Sequence, residues 1–128
     1  MKLTNGRTSQ VIASSIELAC TRAERRRGLL GRDGLDRSTA MIIAPCFAVH
    51  TAFMHFSIDV LFLDGEGVVR RVVSNLKPWR MAADVRGRSV VELAGGVARD
   101  LDIRVGDRLH LTETSDRERS WRSLATAS

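Results

Sequence analysis

Four side chains that can ionise, attack or ligate, Cys46, His50, His55 and Asp59, fall inside one otherwise apolar stretch, PCFAVHTAFMHFSIDVLFLD at 45–64. Such groups are costly among apolar neighbours unless they are paired, hydrogen-bonded or ligated, so a site is expected here. A thiol near an imidazole, Cys46 with His50, suits two chemistries: a thiolate nucleophile, or two donors for a borderline metal such as zinc. Neither set is complete. A catalytic cysteine also needs an oxyanion hole and an orienting partner for its histidine, and a zinc site normally takes three or four protein ligands. The plain alternative is a buried thiol beside a histidine bonded to the backbone. No motif requires a cofactor, and zinc is the metal that a Cys46/His50 pair would suit.

Treated as one regular strand, residues 50–59 place His50, Ala52, Met54, Phe56 and Ile58 on one face and Thr51, Phe53, His55, Ser57 and Asp59 on the other. That alternation separates His50 from His55 and leaves Cys46 with His50 and His55 with Asp59 as the natural pairs. Asp59 opens the apolar run VLFL, where an ionised carboxylate wants an arginine or several N–H donors. Arg25, Arg32 or Arg80 is the expected partner. Thr51 and Met54 suit the wall of a small cleft, and Trp79 beside Arg80 either covers its mouth or closes the core, with packing the expected role.

The elements that must hold these residues are short. Thr21-Arg22-Ala23-Glu24 is a capping box, which predicts a helix from Arg22 to about Gly31, Ala23, Leu29 and Leu30 facing the core and Arg25-Arg26-Arg27 on a solvated face. Residues 10–20 are strand-like, AMIIA at 40–44 is a buried strand ended by Pro45, and IDVLFLD leads through Asp64-Gly65-Glu66-Gly67 into VVRRVV as a hairpin. An irregular connection follows from Pro78 to Gly87, then a strand SVVEL at 89–93, a short helix over Val97 to Leu101, and a last strand RLHLT. Gly106-Asp107 reads as a turn whose aspartate caps backbone N–H groups. Gly95-Gly96 before a helix could cradle a phosphate, although no P-loop pattern accompanies it.

The 128 residues are enough for one domain. The predicted division is a flexible 1–9, a domain over 10–112, and a polar, disordered tail over 113–128 in which Trp121 alone could dock. The chain carries a net charge of +5, almost all of it from arginine. The arginines are scattered, there is no tyrosine, and no nucleic-acid module is evident, which argues against a nucleic-acid partner. The start has no apolar signal core and no run is long enough to cross a bilayer, so a cytoplasmic protein without a membrane partner, carrying free Cys20 and Cys46, is expected.

Several separated motifs occur in a familiar order: T-x-x-E-R-x-x-G-L-L-G-R from Thr21, P-C-x-x-V-H-T-x-x-M-x-F-x-I-D-V-L-F-L-D from Pro45, Pro78-Trp79-Arg80, and V-x-E-L-A-x-G with I-x-V-G-D-x-L over Val90 to Leu109. Over about 10–112 the chain resembles the DUF192 family, also called UPF0127. The resemblance implies a β-sandwich-like or barrel-like domain with short helices and brings no established activity. Where the family pattern has an aromatic and a glycine before the methionine, a basic residue after it and a proline before Ile-Asp, this chain has Ala52, Phe53, His55 and Ser57.

The expected fold is therefore a mainly β single domain with two short helices. The expected function is binding of a small polar or anionic molecule in a cleft lined by His50, Thr51, Met54, His55, Asp59, Trp79 and Arg80. A metal-binding or cysteine-dependent enzyme using Cys46 and His50, and a basic adapter for protein or nucleic acid, are the alternatives.

Overall fold

The computed structural model describes residues 1–126. The elements run β1 (Lys2–Asn5), β2 (Val11–Ala13), β3 (Ser15–Ala19), α1 (Arg22–Arg27), β4 (Thr39–Ile43), β5 (Ala48–His50), β6 (Ile58–Leu63), β7 (Val69–Leu76), β8 (Met81–Ala83), β9 (Ser89–Ala94), α2 (Val97–Asp100), β10 (Leu109–Thr112), β11 (Glu118–Arg119) and α3 (Trp121–Thr126). A five-stranded sheet, β3-β4-β9-β6-β7, lies at the centre, beside a four-stranded sheet, β11-β10-β1-β2, and the two-stranded pair β5-β8. Only the β3-β4 pair of the central sheet is parallel, as the α1 crossover between them requires. The fold is mainly β, as expected, with three short helices rather than two.

All of β6 and β9 is buried, because the central sheet has a core on each face. Leu61, Leu63, Val91 and Leu93 enter a first core with Leu3, Ile12, Leu109 and Leu111 of the four-stranded sheet. Ile58, Val60, Phe62 and Val90 enter a second, closed by Leu29, Val49, Met54 and Ala82 from the segments around α1, β5 and β8.

Several local signals are realised as hydrogen bonds. Thr21 caps α1 with both bonds of the box, and the Asp64 carboxylate receives the Glu66 and Val68 N–H groups inside the β6-β7 turn. The helix ends sooner than expected, at Arg27, with Gly28 at φ 47, and Ala23 is exposed; Leu29 reaches the core from the turn beyond. Asp107 caps the turn before β10, accepting the Arg104 N–H at 2.8 Å, and also binds Asn5 and Arg7. Burial alone would raise this carboxyl; those three donors outweigh it and hold it at about 2.

Both chain ends depart from expectation. Residues 1–9 are not a free arm: β1 pairs with β10 and β2, and Leu3 is wholly buried. As far as it is described, to residue 126, the polar tail is ordered too. β11 pairs with β10, Trp121 and Leu124 join the first core, and the indole N–H of Trp121 donates to the Leu109 carbonyl at 2.9 Å. Gly67 makes room for that indole, since a Cβ there, at φ 81, would stand 2.2 Å from Trp121 Nε1. Trp121→Ala is expected to cost about 3–5 kcal/mol in urea unfolding; unchanged stability would mean that the tail does not dock. Residues 127 and 128, also assigned to that tail, lie outside the described residues.

Candidate functional site

The assumed strand over 50–59 does not form. β5 stops at His50 and β6 starts at Ile58, with the segment between them turning across the second core. The loop comes from Thr51, whose side chain is completely buried. Its hydroxyl donates to the Lys77 carbonyl at 2.6 Å and accepts the Arg80 N–H at 2.9 Å, while its carbonyl receives the N–H groups of Met54 and Trp79. Thr51 is thus a latch joining the 51–54 turn to the 77–80 turn, not a cleft wall.

The loop scatters the expected site. His55 is exposed, with Nδ1 4.0 Å from an Asp33 carboxylate oxygen, and makes no pair with Asp59. Trp79 is also exposed and packs against Phe53 with ring centroids 4.5 Å apart and planes tilted by 59°, so it neither closes the core nor packs inside it. Arg80 turns its guanidinium back onto the Trp79 carbonyl. Phe53 has φ 65, a conformation that costs a bulky residue about 1–2 kcal/mol.

Asp59 is fully buried but has no arginine partner. Oδ1 accepts the Asn75 N–H at 2.8 Å and Oδ2 accepts those of Gly96 and Ala98 at 3.1 and 2.8 Å. Three backbone donors satisfy the carboxylate without a second desolvated charge. The same bonds take up the Gly96 and Ala98 N–H groups at the start of α2, where a phosphate on the Gly95-Gly96 segment would have to compete with the Asp59 carboxylate.

The residue that sequence reasoning missed is Glu92. It lies opposite Met41 and Val60, in the middle of the central sheet and on the face of the second core. Only 5% of it is exposed, and among the described residues it has no hydrogen-bond or ion-pair partner. Burial pushes its carboxyl up to about 7, partly offset by the field of Arg32, whose own guanidinium binds Glu17 at 2.7 Å. The available signal was the one used for Asp59: a single carboxylate inside an apolar strand, here SVVELA.

Glu92 lines a cleft of about 130 Å³. Around it stand Cys46, His50 and Met54 from the predicted segment and Arg25, Arg26 and Arg27 from the end of α1. The arginine triplet is therefore a cleft wall as well as a solvated helix face. Arg25 binds the Cys20 carbonyl, whereas the guanidinium groups of Arg26 and Arg27 have no partner among the described residues. The Cys46 thiol donates to the Ala48 carbonyl at 3.1 Å; burial pushes it up, and nearby Glu92 adds to that. That direction favours the protonated thiol, the less nucleophilic form. Among the described residues no group of three or more His, Cys, Asp or Glu side chains is placed to hold a metal ion.

Comparison with known proteins agrees with the motif pattern. The DUF192 family model, described as an uncharacterized ACR, matches residues 2–111. A UPF0127 protein of Thermococcus kodakarensis is 29% identical over 112 residues, covering 82% of this chain and 69% of that protein. Another, of Pyrococcus abyssi, is 39% identical over 62 residues, covering 48% of this chain and 52% of that one. The crystal structure of a protein of unknown function from Novosphingobium aromaticivorans superimposes with a TM-score of 0.75 at 26% identity, covering 87% of this chain and 84% of that one.

Proposed function

The chain belongs to the DUF192 family, and from that premise we propose that it is a binding domain for a small polar molecule with an anionic group, held in the cleft above Glu92. The observation that carries this reading is a nearly buried carboxyl, without a hydrogen-bond or ion-pair partner among the described residues, in a cleft walled by arginines. Burial of such a group is costly and adds nothing to the core, which favours a role completed by a ligand.

The two ends of the cleft specify complementary ends of the ligand. Arg26 and Arg27 suit a carboxylate or phosphate, while Glu92 suits a hydroxyl or ammonium donor. The volume equals about four waters, well below an ordinary drug-sized pocket, so the ligand is a few heavy atoms or the tip of something larger. A cysteine nucleophile is less well supported because burial favours its protonated form, and a zinc site because no third His, Cys, Asp or Glu ligand joins Cys46 and His50 among the described residues. At least seven arginines already face carboxylates, Arg7, Arg32, Arg37, Arg70, Arg104, Arg119 and Arg122, which weakens the nucleic-acid reading. Two free cysteines fit a reducing compartment such as the cytoplasm.

Calorimetric titration with glycolate, acetate and phosphate tests the reading. Glycolate, which has both ends, is expected to bind best, and to bind more tightly at pH 8 than at pH 6, because ionised Glu92 accepts its hydroxyl. Glu92→Gln should remove the pH dependence, and Arg26→Ala with Arg27→Ala should weaken binding about tenfold. Equal binding of acetate and glycolate, indifferent to all three substitutions, would overturn it.

A further inference from the structure

We infer that the outer face of the β5-β8 pair is a docking surface for an anionic lipid surface. Five large apolar side chains stand out around this pair: Phe47 at 54% exposure, Phe53 at 70%, Trp79 at 60%, Met81 at 75% and Val85 at 83%. Phe47 and Val85 flank one end of the short ladder, where Ala48 pairs with Ala83; Phe53 and Trp79 flank the other, where His50 pairs with Met81. Scattered exposed apolar residues need no explanation, but a cluster of this size on one face does.

The backbone holds the aromatic pair out at a cost. Phe53 and Trp79 both have positive φ, 65 and 63, and each turn is fixed by the buried Thr51 latch. Strain of this kind persists only where the surroundings over-determine it, and here its product is two aromatic rings in tilted contact, both exposed to water.

Charge selects the occupant. Segment 45–56 contains no carboxylate, and segment 77–88 carries Lys77, Arg80, Arg86 and Arg88 against a single Asp84, which is bound to Arg70 at 3.0 Å. A second copy docking face to face would set these cations against themselves. The partner must be negative, and the raised side chains favour a yielding apolar medium over a protein that would need a socket for each. Aromatic and aliphatic tips borne by segments with this cationic excess, the exposed Asp33 beside His55 aside, match the interface of an anionic membrane, where rings sit at headgroup depth and cations meet phosphates. No helix among the described residues is long and apolar enough to cross a membrane, so the contact is peripheral.

The test is co-sedimentation of the full chain with phosphatidylcholine vesicles, with and without about one third phosphatidylglycerol. Binding to the anionic vesicles alone is expected, weakening as salt rises from about 0.05 to 0.5 M. Tryptophan emission should shift to the blue on binding, a change that reports Trp79 because Trp121 is already buried. Phe53→Gly, which relieves the strained backbone while deleting a ring, and Met81→Ser should together lower partitioning roughly tenfold, while Val105→Ser, exposed on a different turn, leaves it unchanged. Three results would overturn the inference: no binding at low salt, binding indifferent to Phe53→Gly and Met81→Ser, or concentration-dependent self-association through this face without vesicle binding.

Discussion

Glu92→Gln makes the protein more stable at pH 8, by about 3 kcal/mol, although it alters a residue at the centre of the main sheet. The carboxyl is raised to about 7 in the folded chain and relaxes to its ordinary value near 4.5 on unfolding. Below pH 4.5 it is neutral in both states and costs the fold little. Between 4.5 and 7 the unfolded chain loses the proton and the folded chain keeps it, so stability falls with rising pH and stays lower above 7. Glutamine keeps the shape and removes the titration, flattening that slope. Urea midpoints at about pH 4.5, 6 and 8 are the measurement. A growing advantage for the glutamine variant is expected, and equal or lower stability at pH 8 would show that Glu92 has a partner stabilising its charge.

Asp59→Ala has the opposite sign and a comparable size. It leaves the N–H groups of Asn75, Gly96 and Ala98 without their acceptor, two of them at the start of α2. The expected loss is about 3–5 kcal/mol, with faster amide exchange at Gly96 and Ala98. Asp59→Asn should cost less, about 2–3 kcal/mol, because its carbonyl can keep one set of donors while its NH2 opposes the other. A change within about 0.5 kcal/mol for both would mean that these bonds contribute little. Together the two acids separate roles. On one face of the same sheet a buried carboxylate meets three donors; on the other, a buried carboxyl meets none and faces a cleft.

What could be read in advance was local. The capping box at Thr21, the Asp64 turn and the Arg104 N–H bond to Asp107 each close within a few residues, so composition and spacing suffice, whereas the bonds from Asn5 and Arg7 to Asp107 span 102 and 100 residues and have no local signal. β1, β8 and the docking of Trp121 depend on partners distant in the chain, and a four-residue strand such as KLTN has no periodicity of its own to display. The site failed for a related reason. That Asp59 would need a partner was legible, but its donors arrive 16 to 39 residues later from the backbone, which any sequence possesses. Glu92 joins Cys46, His50 and Met54 only because β9 pairs between β4 and β6 and the Thr51 latch folds the 51–57 loop over it.

The most direct test of the cleft is the side-chain carboxyl carbon of Glu92, followed by NMR as pH is varied with and without glycolate. The account predicts a midpoint near 7 in the free protein, drawn downward when the glycolate hydroxyl donates to the carboxylate, and the loss of that titrating signal in Glu92→Gln. A midpoint in the ordinary carboxylate range, unmoved by glycolate, would contradict it.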